Sequence, residues 1–365
     1  MLRISLFAGL FAFASFASAQ EKEPILPTVN ERIRESADNA PLSMQFTGKT
    51  AEDCRKWQAE FSAKLRSLLG PHQPPKEWKT VVEKRTEKSD HVLTSLVLYS
   101  DGHPPLPLYL LVPKNAGKKK LPGIVAIHGH GNYGYDPVAG RDDLLGVDKA
   151  IKNANYDYGR QLVKRGYVVV CPCLTPFGRR LGKRESYGKQ DPCAITYLRL
   201  QLFGKVLIAE NLRDCLWATE FLARHNNVDP ERLGCVGLSY GGRMTMLTAA
   251  LEPRFKVAVI SGALNVMQER VSVRYSCGAQ IIPGLLQYGD VPEISSLIAP
   301  RYCVWEVGSR DGLMKSKWVD VGLKRIERAY EAYGKRNHLK VDRFSGGHRW
   351  NGEVAIPLLD RELNK

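Results

Sequence analysis

A serine hydroxyl is a weak nucleophile until a base takes its proton and an acid orients that base. One serine in this chain stands where such activation is built. The stretch Val236-Gly237-Leu238-Ser239-Tyr240-Gly241-Gly242 joins an apolar run to an Ala/Leu/Met-rich run of helical character. The reading is a strand, a sharp turn and a helix, with Ser239 at the apex. Small residues at 237 and 241 let strand and helix approach closely. The hydroxyl then projects over the C-terminal edge of a sheet. The helix N-terminus beside it favours developing negative charge.

An acid and a base should follow Ser239 in the chain, each just past a strand. The run Tyr302-Cys303-Val304-Trp305-Glu306-Val307 opens into Gly308-Ser309-Arg310-Asp311-Gly312, which places Asp311 as the acid. The run Leu339 to Phe344 opens into Ser345-Gly346-Gly347-His348, which places His348 as the base. Glu306 and Asp342 are rival acids, but both lie within strands. His338 precedes its strand and so stands at the wrong end. The oxyanion of an attacked carbonyl needs fixed N–H donors. The Tyr240 backbone supplies one. The loop His128-Gly129-His130-Gly131 supplies the other, through His130 first and Gly131 second. The two imidazoles invite a metal reading, yet no third ligand is evident, so no metal and no cofactor is expected. His128 is read as a brace for its loop.

These groups need a scaffold, and the chain alternates between strand and helix signals. Strands are expected at 92–98 and 106–112 as an antiparallel edge pair. Further strands are expected at 124–127, 167–170, 233–238, 255–260, 302–307 and 339–344. Helices are expected at 51–69, 156–165, 192–224 with a break near Gly204, 243–251 and 315–333. Thr50 can cap the helix at 51–69 and Gly70-Pro71 ends it. Such alternation implies an α/β fold: a mostly parallel twisted sheet covered by helices on both faces. Residues 264–293 carry few periodic signals and are expected to wall the pocket.

The composition is that of an ordinary globular chain, with 44% hydrophobic and 25% charged residues in 365. The first 19 residues read as a secretory signal: Arg3, an apolar run from Ile4, then Ala17-Ser18-Ala19. The mature chain would start at Gln20, soluble and secreted or periplasmic. It would comprise a lead-in over 20–80 and a catalytic core over 81–365. A net charge of +15 favours acidic partners. No nucleic-acid recognition motif is present, and no later segment is apolar enough to span a membrane. Of eight cysteines, Cys171, Cys235 and Cys303 fall in core strands. Cys54, Cys193, Cys215 and Cys277 remain open to bridging, with no pairing assigned.

Together these residues resemble the α/β-hydrolase superfamily from about residue 90 onward. The marks are His128-Gly129-His130-Gly131, Gly237-Leu238-Ser239-Tyr240-Gly241-Gly242, Asp311 and Gly347-His348. Two longer phrases look like its exported dienelactone-hydrolase-like and acetyl xylan esterase-like branch: Gly242-Arg243-Met244-Thr245 to Ala263, and Pro283-Gly284-Leu285-Leu286-Gln287-Tyr288-Gly289-Asp290 to Arg301. The resemblance implies carboxylic-ester hydrolysis through an acyl-enzyme, without a cofactor. Dienelactone hydrolases proper use cysteine where this chain has Ser239, which points to an ester. The substrate would be a small-molecule or polysaccharide ester, with acetylated polysaccharide foremost. Tyr133, Tyr135, Phe177 and Trp350 are candidates for stacking on sugar. The basic run Arg179 to Arg184 is a candidate for an acidic sugar or a solvated loop. Ser239-Tyr240-Gly241-Gly242 also resembles the prolyl oligopeptidase group of serine peptidases, though the chain before the sheet is too short for a propeller. A non-catalytic carbohydrate-binding protein on the same scaffold is the third reading.

Overall fold

Strand residues here divide their side chains between two cores. In the segment 124–127, Val125 and Ile127 join one apolar cluster while Ile124 and Ala126 join another. In 168–171, Val168 and Val170 face the first cluster, and Val169 and Cys171 the second. That is the two-residue period of a strand buried on both faces. A computed structural model describes residues 26–117, 120–273 and 277–364. The expected signal at 1–19 lies outside the described residues. So do part of the Lys-rich loop at 117–120 and part of the expected pocket wall.

Among the described residues, nine strands form one sheet: β1 Lys79–Glu87, β2 His91–Ser100, β3 His103–Pro113, β4 Leu121–Ile127, β5 Val168–Pro172, β6 Val228–Leu238, β7 Phe255–Ser261, β8 Tyr302–Gly308 and β9 Leu339–Phe344. Their order is β1-β2-β3-β5-β4-β6-β7-β8-β9. The first three pair antiparallel, and β3 meets β5 antiparallel. From β5 to β9 every pairing is parallel. The described helices are α1 Val29–Asp38, α2 Ala51–Leu69, α3 Val147–Ala154, α4 Tyr158–Val163, α5 Pro192–Gln201, α6 Leu207–Ala223, α7 Tyr240–Leu251, α8 Met267–Val273, α9 Val291–Ser296, α10 Ser316–Ala332 and α11 Ala355–Leu363. Side chains of α2, α6, α7, α9 and α10 build the first core, and those of α4 and α11 the second.

The expected architecture is thus the observed one, with additions. β1 is an outer strand that the sequence hides. Its residues are mostly charged and exposed, and a bulge falls between Val82 and Lys84. Charge and a bulge are what protect a sheet edge from further pairing, and they erase the apolar alternation that advertises a strand. α1 is equally polar, but Thr28 and Glu31 form a complete capping box at its start. α2 follows its signals closely. Thr50 and Asp53 cap it reciprocally, Gly70 ends it at φ 70°, and Cys54, Trp57, Phe61, Leu65 and Leu69 face the core.

Parallel strands bring their C-terminal ends to one rim. The loops after β4, β6, β7, β8 and β9 therefore meet along a single edge of the sheet, which is where ligands bind in open α/β sheets.

Candidate active site

Ser239 links β6 to α7 with φ 64° and ψ −122°, in the left-handed region that a side chain adopts at a cost of about 1–3 kcal/mol. The neighbouring glycines show why the turn holds. A Cβ on Gly237 would lie 2.4 Å from the Gly241 carbonyl oxygen. One on Gly241 would lie 2.0 Å from the Ile127 carbonyl, and one on Gly242 2.5 Å from that of Ser261. The start of α7 is therefore wedged against the ends of β4 and β7. The Ser239 N–H donates to the Ser261 carbonyl at 2.8 Å and pins the apex to β7.

Asp311 and His348 meet as their positions after β8 and β9 require. The His348 Nδ1–H donates to Asp311 Oδ2 at 2.7 Å. The Asp311 carboxylate is almost wholly enclosed, and its Oδ1 accepts the Leu313 N–H at 2.9 Å. This arrangement fixes the imidazole tautomer and leaves Nε2 free for another proton. Nε2 is buried and makes no hydrogen bond, to Ser239 included. Ser239 and His348 nonetheless line one cavity of about 400 Å³, together with His130, Tyr240, Cys277 and Leu313. Bonds between nucleophile and base are often long before substrate arrives.

The rival acids have other tasks. Glu306 is fully buried and accepts the N–H groups of Asn351 at 3.1 Å and Gly352 at 2.7 Å. Burial lifts its carboxyl to about 7 against the pull of those donors. Asp342 Oδ2 accepts from the Asn351 side chain at 2.8 Å. Both acids anchor the loop that carries His348 without touching its ring.

On the other side of the cavity stands the loop after β4. His128 is completely buried. Its Nε2 accepts the Leu174 N–H at 2.9 Å, so Nδ1 carries the proton and donates to the Gly129 carbonyl at 2.7 Å. Burial pushes its pKa down to about 4, which keeps the ring neutral. A Cβ on Gly129 would lie 2.7 Å from the Leu238 carbonyl, so the loop lies directly against the serine turn. The N–H groups of Tyr240, His130 and Gly131 take no part in the turn, loop and cap hydrogen bonds of the described residues. Gly131 adopts φ 149° and does not line the cavity, which puts His130 ahead of it as the second donor.

The structure departs from the expected substrate contacts. Trp350 has no exposure and packs on Tyr158 at 5.1 Å, so it cannot stack on a ligand. Tyr135 is likewise buried, against Tyr109 at 4.3 Å. Tyr133 is partly exposed but lies outside the cavity. Phe177 supports the His130 ring edge-on at 5.2 Å. The two arginines that open the basic run are spent on the protein itself. Arg179 forks onto Glu83 at 2.6 and 2.8 Å, and Arg180 pairs with the buried Asp214. These aromatic and basic types are common in ligand sites and in cores alike, and sequence alone does not separate the two.

One constellation escaped the sequence entirely. His130 Nε2 lies 2.8 Å from Cys277 Sγ, and Cys193 completes a cluster whose ligand atoms all lie within 4.8 Å of one another. The three come from the β4 loop, the start of α5 and the turn at 278–280. No short-range spacing links them, so their meeting was invisible in the sequence, and His128, the imidazole that the sequence sets near His130, is not among them. A larger groove of about 620 Å³ between α1 and residues 281–287 is mostly apolar and holds none of these reactive groups.

Sheet order, strained serine turn and the loops after β8 and β9 define the class: the chain has the fold of the α/β-hydrolase superfamily. Within that class the similarities are more particular. The prolyl oligopeptidase family matches residues 207–273, which include the serine turn. YtaP of Bacillus subtilis (strain 168), a protein with a hydrolase name, is 29% identical over 296 residues, covering 80% of this chain and 94% of its own. A Bacteroides fragilis NCTC 9343 structure named for acetyl xylan esterase activity superposes with a TM-score of 0.73 at 18% identity, covering 87% of this chain and 83% of that one. A glucuronoyl esterase from Teredinibacter turnerae T7901 gives a TM-score of 0.60 at 17% identity, with 89% and 90% covered. The acetyl xylan esterase from Paenibacillus sp. R4 gives 0.57 at 16%, with 90% and 99% covered.

Proposed function

We propose that this chain is an exported serine hydrolase that cleaves carboxylic esters, acetyl or related acyl esters on carbohydrate, through an acyl-enzyme. The observation that carries this reading is the 2.7 Å His348–Asp311 pair, whose unpartnered Nε2 shares a cavity with Ser239. His348 Nε2 takes the Ser239 proton as Oγ attacks the ester carbonyl. The Tyr240 and His130 N–H groups receive the oxyanion, each worth roughly 3–4 kcal/mol of transition-state stabilisation. Collapse expels the alcohol, which leaves with the proton from His348. Water, deprotonated by the same ring, then releases the acid and restores Ser239. Asp311 keeps Nδ1–H in place and stabilises the imidazolium.

The carbohydrate part of the reading draws on the esterase names of the similar structures and on the sequence marks. Export draws on the leader-like pattern over 1–19; among the described residues no helix is long and apolar enough to cross a membrane. A second reading, serine peptidase, draws on the match of residues 207–273 to the prolyl oligopeptidase family. Purified protein assayed on acetylated xylan, p-nitrophenyl acetate and an aminoacyl-prolyl anilide separates them. Acetate release from the first two, with no aniline released from the third, is expected. Preferential anilide cleavage would replace the esterase reading with the peptidase one.

A further inference from the structure

We propose that His130, Cys193 and Cys277 form a binding site for one soft divalent metal ion, of which Zn²⁺ is the type, in the wall of the reactive cavity. The donor set is one imidazole nitrogen and two sulfurs, the combination that such ions select. All three donor atoms already lie within 4.8 Å of one another. Around a tetrahedral ion, ligand atoms stand about 3.5–4 Å apart. His130 Nε2 and Cys277 Sγ, now 2.8 Å apart, need only separate by less than about 1 Å.

The two cysteine ligands are held by structure that the proposed ester chemistry does not require. Cys193 is buried in the first turn of α5, which packs on the 278–280 turn. The Cys277 sulfur accepts the Ala279 N–H at 3.4 Å as it caps that turn. The hydrogen-bonded Cys193 thiol, together with His130 and Ala279, holds the Cys277 pKa below the ordinary thiol value, while the same pairing raises that of Cys193. On coordination both thiols would give up their protons to solvent. The His130 ring is fixed between Phe177 and Tyr240, at 5.2 and 5.3 Å between centroids. Cys277 is half-buried and lines the cavity with His130. An ion there has three protein ligands and an open position toward solvent.

A disulfide between Cys193 and Cys277 would use the same sulfurs. It would give no role to the imidazole aimed at one of them, which is why the geometry favours the metal. The test uses the full chain, reduced and handled without oxygen, titrated with Co²⁺. One equivalent should bind with thiolate-to-cobalt charge-transfer absorption, and Zn²⁺ should displace it. Cys193→Ser and Cys277→Ser should each weaken binding by more than about tenfold while keeping the wild-type circular dichroism. Ser239→Ala should bind cobalt like wild type, which separates this site from the ester reading. Absence of the charge-transfer band, or its persistence unchanged in both cysteine variants, would overturn the proposal. So would a Cys193–Cys277 disulfide mapped by mass spectrometry in protein isolated without reductant.

Discussion

At the scale of single residues, the account assigns each reactive group a distinct duty, and substitutions separate them. Ser239→Ala should lower ester turnover by at least about 10⁴-fold with an unchanged melting temperature. Asp311→Asn should lower kcat by about 10⁴-fold, because the amide misorients His348 while the fold survives. Full activity in that variant would move the orienting role to another acid, although Glu306 and Asp342 both face away to residues 351 and 352. His128 gives a pH signature. Its folded pKa of about 4 lies below the ordinary value of 6.5. Below pH 6.5 the unfolded chain takes up a proton that the native ring refuses. This stabilisation is present above pH 6.5 and is lost as pH falls toward 4, about 3 kcal/mol in all. Denaturant unfolding of wild type and His128→Gln across that range should show a steeper acid loss in wild type. Parallel curves would mean that His128 titrates alike in both states.

At the scale of elements, the serine turn depends on two backbones touching. Gly241→Ala places a methyl 2.0 Å from the Ile127 carbonyl, so α7 must move away from β4. The expected cost is about 3 kcal/mol with loss of turnover, measured by denaturant melts and the acetate assay. Wild-type stability in that variant would show that the turn is looser than described. The parallel strands and helices α2, α4, α5, α6, α7 and α10 were legible because buried strands are short apolar runs and these helices carry apolar faces or runs between turn signals, whereas α3, α8, α9 and α11 were not anticipated. The 192–224 region broke at Gly204, as its sequence suggested, into α5 and α6. β1 and α1 were not legible. Their exposed, charged residues carry no core face, and only neighbours or caps define them. Of the reactive groups, Ser239, Asp311 and His348 could be placed because each follows a recognisable strand. The Cys193–Cys277–His130 cluster depends on the docking of α5 against a distant turn, which no local pattern encodes.

At the scale of the whole molecule, α2 is part of the core although it precedes the sheet. Trp57, Phe61, Leu65 and Leu69 of α2 lie in the same cluster as strands β2 to β8. Burial of four such side chains is worth roughly 6–10 kcal/mol, comparable with the total stability of a domain. A chain beginning at residue 79 should therefore lack a cooperative thermal transition. A stable, active truncated protein would show that α2 is dispensable. The net charge is +15, but Arg179 and Arg180 of the basic loop are already ion-paired and a neutral ester offers no charge to attract, so salt should alter its turnover little. The central claim is that β6, β8 and β9 deliver a serine, an acid and a base to one rim and so make one hydroxyl reactive. Fluorophosphonate labelling of the folded protein, read by peptide mass spectrometry, tests it most directly. A single adduct on Ser239 that disappears in His348→Ala is the expected result. No adduct at Ser239, or equal labelling without the imidazole, would contradict the account.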